Sequence, residues 1–218
     1  METTISPIIK FFILQGVPME TIILILMLPL IATFIAFLRQ VVGIKAFGIY
    51  TPLIITFAFL ATNGLRYGIA IFLVILFLGM LMRFMLKPFR LLYLPRVAIM
   101  LTVVALFILL FLFFGGVIQR TGLASVSIFP IVIMITLVEK FVSVQIEKGD
   151  RTALILAFET LIISIIGFYI ASWGTLRTML LSYPWLILLT IPINIIIGKW
   201  TGLRISEYIR FRNILKKL

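Results

Sequence analysis

The sequence predicts an all-α, polytopic integral membrane protein with seven transmembrane helices. Of its 218 residues 63% are hydrophobic and only 12% charged, mean hydropathy is +1.30, and the apolar residues fall into runs close to bilayer length. Soluble domains carry about a quarter charged residues, and about 20 apolar residues cross the hydrocarbon core. The chain has no Cys and no His. That removes disulfides, thiolate nucleophiles, imidazole acid–base catalysis and histidine-bound metal, so neither a metal nor a cofactor is expected.

In chain order the runs are Thr21 to Leu38, Ile44 to Ala61, Tyr67 to Met82, Val97 to Ile118, Leu123 to Val138, Ala153 to Trp173 and Tyr183 to Gly198. Before the first, SPIIKFFILQGVP (Ser6 to Pro18) is apolar but broken by Lys10, Gly16 and Pro18. It reads as an interfacial part of an N-terminus spanning residues 1–20, and it lacks the charged start and cleavage site of a signal peptide. The longest expected loops, Arg83 to Arg96 and Glu139 to Thr152, are about fourteen residues each. Neither holds a soluble domain, so residues 1–218 are expected to be one membrane domain ending in a basic tail, 199–218.

Orientation follows from basic residues, because positively charged loops resist translocation. With seven spans, Lys10, Arg66, Arg120 and Arg177 fall on one side and the other fifteen of nineteen Lys and Arg on the opposite one. The N-terminus is therefore expected outside and the C-terminus in the cytoplasm of a bacterial plasma membrane. RFMLKPFRLLYLPR (Arg83 to Arg96) interleaves Arg83, Lys87, Arg90 and Arg96 with Phe, Leu and Tyr, and the tail ISEYIRFRNILKKL carries Arg210 and Arg212 in the same way. Both read as a basic rim on an anionic inner leaflet, where each cation contributes on the order of 1 kcal/mol. Nucleic acid is not expected as a partner, since the basic residues sit where membrane insertion predicts them.

Two helix starts look alike. GIKAFGIYTPLIIT (Gly43 to Thr56) and GLASVSIFPIVIMIT (Gly122 to Thr136) both open Gly-aliphatic, set Ile with an aromatic shortly before Pro52 or Pro130, and run on to a threonine. Their spans point in opposite directions, so spans one to three and four to six read as an inverted repeat with the seventh added. Pro52 and Pro130 remove backbone donors, while Gly43, Gly48 and Gly122 allow unwound backbone. On one reading these breaks form a central site with Lys45 at its rim. On the other they are ordinary helix starts with proline in the first turn and small residues for tight packing.

Glu159, in AFETLIISIIGF, is the one carboxyl expected inside a span. At about seven residues from Thr152 it lies on the order of 10 Å deep, where an ionisable group is costly and marks function by default. Proton or cation coupling is one reading. A helix-gluing hydrogen bond to Asn194 or Thr190 is the other. The mixed-charge stretch Glu139 to Arg151 reads as a solvated connector.

RQVVGIKAFGIYTPLIITFAF (Arg39 to Phe59), LPRVAIMLTVV (Leu94 to Val104) and FPIVIMITLVEKF (Phe129 to Phe141) resemble the bacterial seven-transmembrane domain usually fused to an inactive transglutaminase-like domain. A fainter similarity runs to the small membrane subunit of poly-gamma-glutamate capsule synthases. The first resemblance implies work beside ATP-grasp ligase-like enzymes in peptide or cell-envelope processing. It also implies that a separate chain supplies the transglutaminase-like domain or that the domain has been lost.

Other seven-span functions fail on residues. A retinal protein needs a lysine inside its last span, where Tyr183 to Gly198 has none, and an aspartyl intramembrane protease needs two aspartates where the chain has only Asp150. Two readings stay open. One is a noncatalytic module that anchors or assembles envelope-processing partners. The other is a transporter or exporter of peptide-like or polyglutamate-like material, with Gly43, Lys45, Gly48, Pro52, Pro130, Glu159 and Asn194 around a central site.

Overall fold

The computed structural model describes residues 5–62, 65–89, 92–117 and 128–200, with 202, 204, 205, 207 and 208. Every regular element among them is helical. In order these are α1 (Pro7–Leu14), α2 (Met19–Phe37) with a π-turn (Leu38–Val42), α3 (Tyr50–Ala61), α4 (Leu65–Leu86), a 3-10 turn (Lys87–Phe89), α5 (Tyr93–Val117), α6 (Ile128–Lys148), α7 (Asp150–Ser172), α8 (Gly174–Ser182), a 3-10 segment (Pro184–Leu189) and α9 (Thr190–Gly198). By length and composition three described segments can cross a membrane: Met19–Val42, Leu65–Leu86 and Asp150–Ser172. The pair Gly174–Ser182 and Pro184–Gly198, bent by 103°, makes a fourth if taken as one broken span.

Four expectations are corrected. The second run does not begin at Ile44. Gly43, Ala46 and Gly48 have positive φ (92°, 31° and 79°), which no right-handed helix accommodates, so α3 starts at Tyr50 and is twelve residues long. The expected loop from Glu139 to Thr152 is helix: α6 runs on to Lys148, Gly149 (φ 85°) is the break, and α7 starts at Asp150. Phe141, Val142 and Gln145 of this stretch continue, at helical spacing, the buried face begun by Leu137 and Val138, so a packed stripe outweighs the surface charges. The loop from Arg83 to Arg96 shrinks likewise between α4 and α5. The last run is a 3-10 segment leading into α9 rather than one helix from Tyr183, because Pro184 and Pro192 withhold backbone donors.

The chain divides into two compact units, Met1–Leu53 with Tyr169–Leu218, and Ile54–Phe168. In the first, α1 is tied down by the Ser6 N–H, which donates to the Leu181 carbonyl (3.0 Å), and by packing of Ile9 with Ile22 and Leu181. Along α2, Ile22 meets Leu181 and Thr33 meets Asn194. The 3-10 segment before α9 packs on α2, and α9 itself reaches the π-turn at the end of α2, so α2 and α9 run in the same direction.

In the second unit α4, α5 and α6 pack on one another. Gly79 lets α6 approach closely: a Cβ there would stand 3.3 Å from Val138 Cγ1. Phe59 of α3 and Phe72 of α4 are fully buried and meet edge to face, centroids 6.4 Å apart.

Helix α7 shows the membrane logic most plainly. Ala153, Ala157, Thr160, Ser164, Gly167 and Ala171, spaced alternately four and three apart, are buried, while Phe158, Ile162, Ile166 and Tyr169 are exposed. A soluble helix turns large apolar residues inward. Here small residues permit close packing, with Leu156 and Ile163 buried beside them, and other large apolar residues face outward, the arrangement that suits lipid.

Candidate functional site

The backbone between α2 and α3 is built by its glycines. The π-turn closes when Gly43 N–H (2.9 Å) and Ile44 N–H (3.2 Å) both donate to the Leu38 carbonyl, with Gly43 left-handed at the end, where a Cβ would be penalised. Gly48 N–H then donates to the Ala46 carbonyl at 2.9 Å, a three-residue turn. Gly43, Ala46, Phe47 and Pro52 are buried, Gly48 is half-buried and Lys45 is exposed. The segment is thus a packed, unwound connection with a single cation turned outward.

The prolines carry less information than the glycines. Pro52 is the third residue of α3 and Pro130 the third of α6, but Pro95 is also the third of α5. In a first turn the missing N–H has no intrahelical acceptor to lose. Gly122, the counterpart of Gly43, lies outside the described residues.

Glu159 is half-buried on α7, beside the small-residue stripe. Within that stripe Thr160 Oγ1 donates to the Leu156 carbonyl (2.6 Å), Ser164 Oγ to the Thr160 carbonyl (2.8 Å), and Thr56 Oγ1 of α3 to the Ser164 carbonyl (3.3 Å). Asn194 Nδ2 donates to Thr33 Oγ1 (2.7 Å) and to the Thr190 carbonyl (2.8 Å), while Thr33 Oγ1 donates to the Pro29 carbonyl (2.8 Å). Thr190 Oγ1 donates to the Ile187 carbonyl (2.7 Å). The Asn194 amide nitrogen is therefore spent on α2 and the α9 backbone, and the Thr190 hydroxyl on the 3-10 segment.

Gly43, Lys45, Gly48, Pro52 and Asn194 belong to the first unit, Pro130 and Glu159 to the second. Of the basic rim, Arg83 lies in the last turns of α4, Lys87 opens the 3-10 turn and Arg96 is half-buried in the first turn of α5. Arg90, Arg210 and Arg212 lie outside the described residues. Sequence reasoning missed Thr33, the π-turn at Arg39 and the stripe on α7. The stripe was visible as small residues alternating four and three apart, whereas Thr33 carries no mark until Asn194 is seen against it.

Helices with apolar outward faces, and with a run of small residues buried along α7, are those of a membrane-embedded domain, and no three of His, Cys, Asp or Glu group together among the described residues. Over residues 3–215 the chain matches the family described as seven transmembrane helices usually fused to an inactive transglutaminase. The chain belongs to this family. No curated protein and no solved structure matches it. Membership accounts for the apolar outward faces, and it links this kind of membrane domain to a transglutaminase-like domain.

Proposed function

We propose that the chain is a noncatalytic membrane module, a single seven-helix domain of the bacterial plasma membrane that anchors or assembles partners of a cell-envelope or peptide-processing system. The observation that carries this reading is the family match over residues 3–215, to membrane domains usually fused to an inactive transglutaminase. A partner domain without activity suits a scaffold. We take the partners to be a transglutaminase-like protein and an ATP-grasp ligase-like protein, and the N-terminus to lie outside. Affinity purification from native membranes tests this: a stable complex with such a protein is expected, and a chain that purifies alone in every mild detergent sinks the assembly reading.

A second reading is favoured by the unwound backbone at Gly43 to Gly48, since broken helix starts frame the sites of inverted-repeat transporters. It makes the chain a transporter or exporter of peptide-like or polyglutamate-like material, with the proposed inverted repeat framing Glu159. Substrate flux into liposomes that Glu159→Gln abolishes supports it. Equal flux in both proteins removes Glu159 from any coupling role.

A further inference from the structure

Arg39 stands at the end of α2, inside the π-turn Leu38–Val42. It is half-buried, and its Nε is sealed from solvent with no hydrogen-bond partner among the described residues. A guanidinium N–H without an acceptor is costly wherever water is excluded, and π-turns recur at functional sites. Thr33 and Asn194 set the register between α2 and α9. Arg39 lies six residues beyond Thr33 and Lys199 five beyond Asn194, so the parallel packing brings both cations to one level, about 8 Å past that hydrogen bond at 1.5 Å per residue. Packing of α9 against the π-turn agrees with this placement.

The same end carries Lys45 in the unwound segment, Arg204 just beyond Lys199, and Trp200 exposed between them, the residue type that settles at a headgroup boundary. Its described carboxylate, Glu207, already accepts the Arg204 backbone N–H (3.2 Å). Two helix C-termini also point here, and each presents roughly half a negative charge. Leaving Lys45 aside, they offset about one of the three cations Arg39, Lys199 and Arg204 and Glu207 another, so a positive charge remains for an outside anion.

We propose that Arg39 and Lys199 form a binding site for the phosphate of an anionic phospholipid headgroup, with Trp200 at the boundary beside it. A phosphodiester offers two oxygens in the geometry of the guanidinium fork, which would supply the acceptor that Arg39 Nε lacks. Lys199 supplies the second charge from the end of α9. This site is independent of whether the chain assembles envelope partners.

The test uses the full chain in nanodiscs of phosphatidylcholine alone or in an equal mixture with phosphatidylglycerol. It reads the thermal midpoint, and the phosphatidylglycerol that stays bound in native mass spectrometry. The wild type is expected to gain stability in the mixture and to retain lipid. Arg39→Gln and Lys199→Gln each lower retention roughly fivefold, Arg39→Lys less, and Lys148→Gln leaves it unchanged. Retention equal to wild type in both Gln variants overturns the site. So does an equal loss of midpoint in both lipid compositions with retention intact, which would make the two cations helix-end caps only. Stabilisation by sodium phosphate in pure phosphatidylcholine equal to that by phosphatidylglycerol assigns the site to a soluble anion and overturns the lipid. Should Arg39→Gln not fold, Lys199→Gln decides alone.

Discussion

Gly167 lies so close to Thr56 that a Cβ added to it would stand 2.6 Å from Thr56 Oγ1 and 3.0 Å from Cγ2. This is where α3 meets α7. Gly167→Ala is expected to lower stability by about 1–3 kcal/mol through overpacking. Thr56→Ala in the same chain should recover most of that, because the remaining contact, to Thr56 Cβ, is at an ordinary 3.4 Å. Thermal unfolding of both single variants and the double variant in one detergent measures the coupling. Additive effects would show that the helices do not meet there.

Gly48 isolates backbone strain from packing. Its φ is +79°, and a Cβ there meets nothing within 4 Å. Gly48→Ala should therefore cost about 1–2 kcal/mol from conformation alone, with Gly48→Asn milder. Gly174, equally open but without a positive φ, is the control: Gly174→Ala should stay within about 0.5 kcal/mol. Equal midpoints for Gly48→Ala and Gly174→Ala would mean that the segment is not held unwound.

The Thr33–Asn194 bond sets the register of α2 and α9. A double-mutant cycle with Thr33→Val and Asn194→Leu should give a coupling of about 0.6 kcal/mol and at most about 1.7, the range for hydrogen bonds between membrane helices. Zero coupling would remove the bond from the register argument, and with it part of the case for pairing Arg39 with Lys199.

The orientation is testable because the chain has no Cys. A membrane-impermeant thiol reagent applied to intact cells should label Thr175→Cys, an exposed site beside Arg177, and should label Lys148→Cys only after permeabilisation. The opposite pattern reverses the proposed topology.

How far the sequence could be read depended on whether a residue's role was local. Gly43 and Gly48 announced a broken helix start, and the backbone turns left-handed at both, because that freedom belongs to glycine itself. Pro52 and Pro130 each stand third in their helices, but so does Pro95, so position in the helix says more than the resemblance between the two starts. On its charges the stretch from Glu139 to Thr152 looks like a loop. It is helical up to Lys148 because Phe141, Val142 and Gln145 are buried, and that burial depends on the helices packed against it.

By itself the sequence determined the membrane class, the exclusion of thiol and imidazole chemistry, the break before α3 and the family resemblance. These rest on composition and on conformational preferences that each residue carries wherever it goes. Only the tertiary structure decided that Thr33 accepts from Asn194, that Gly167 seats Thr56, and that α8 meets the last run at a sharp bend. These are relations between segments far apart in the chain. Inside an apolar bundle many pairings bury similar surface, so direction, register and close approach are settled by a few small or polar residues that become distinctive only beside their partners.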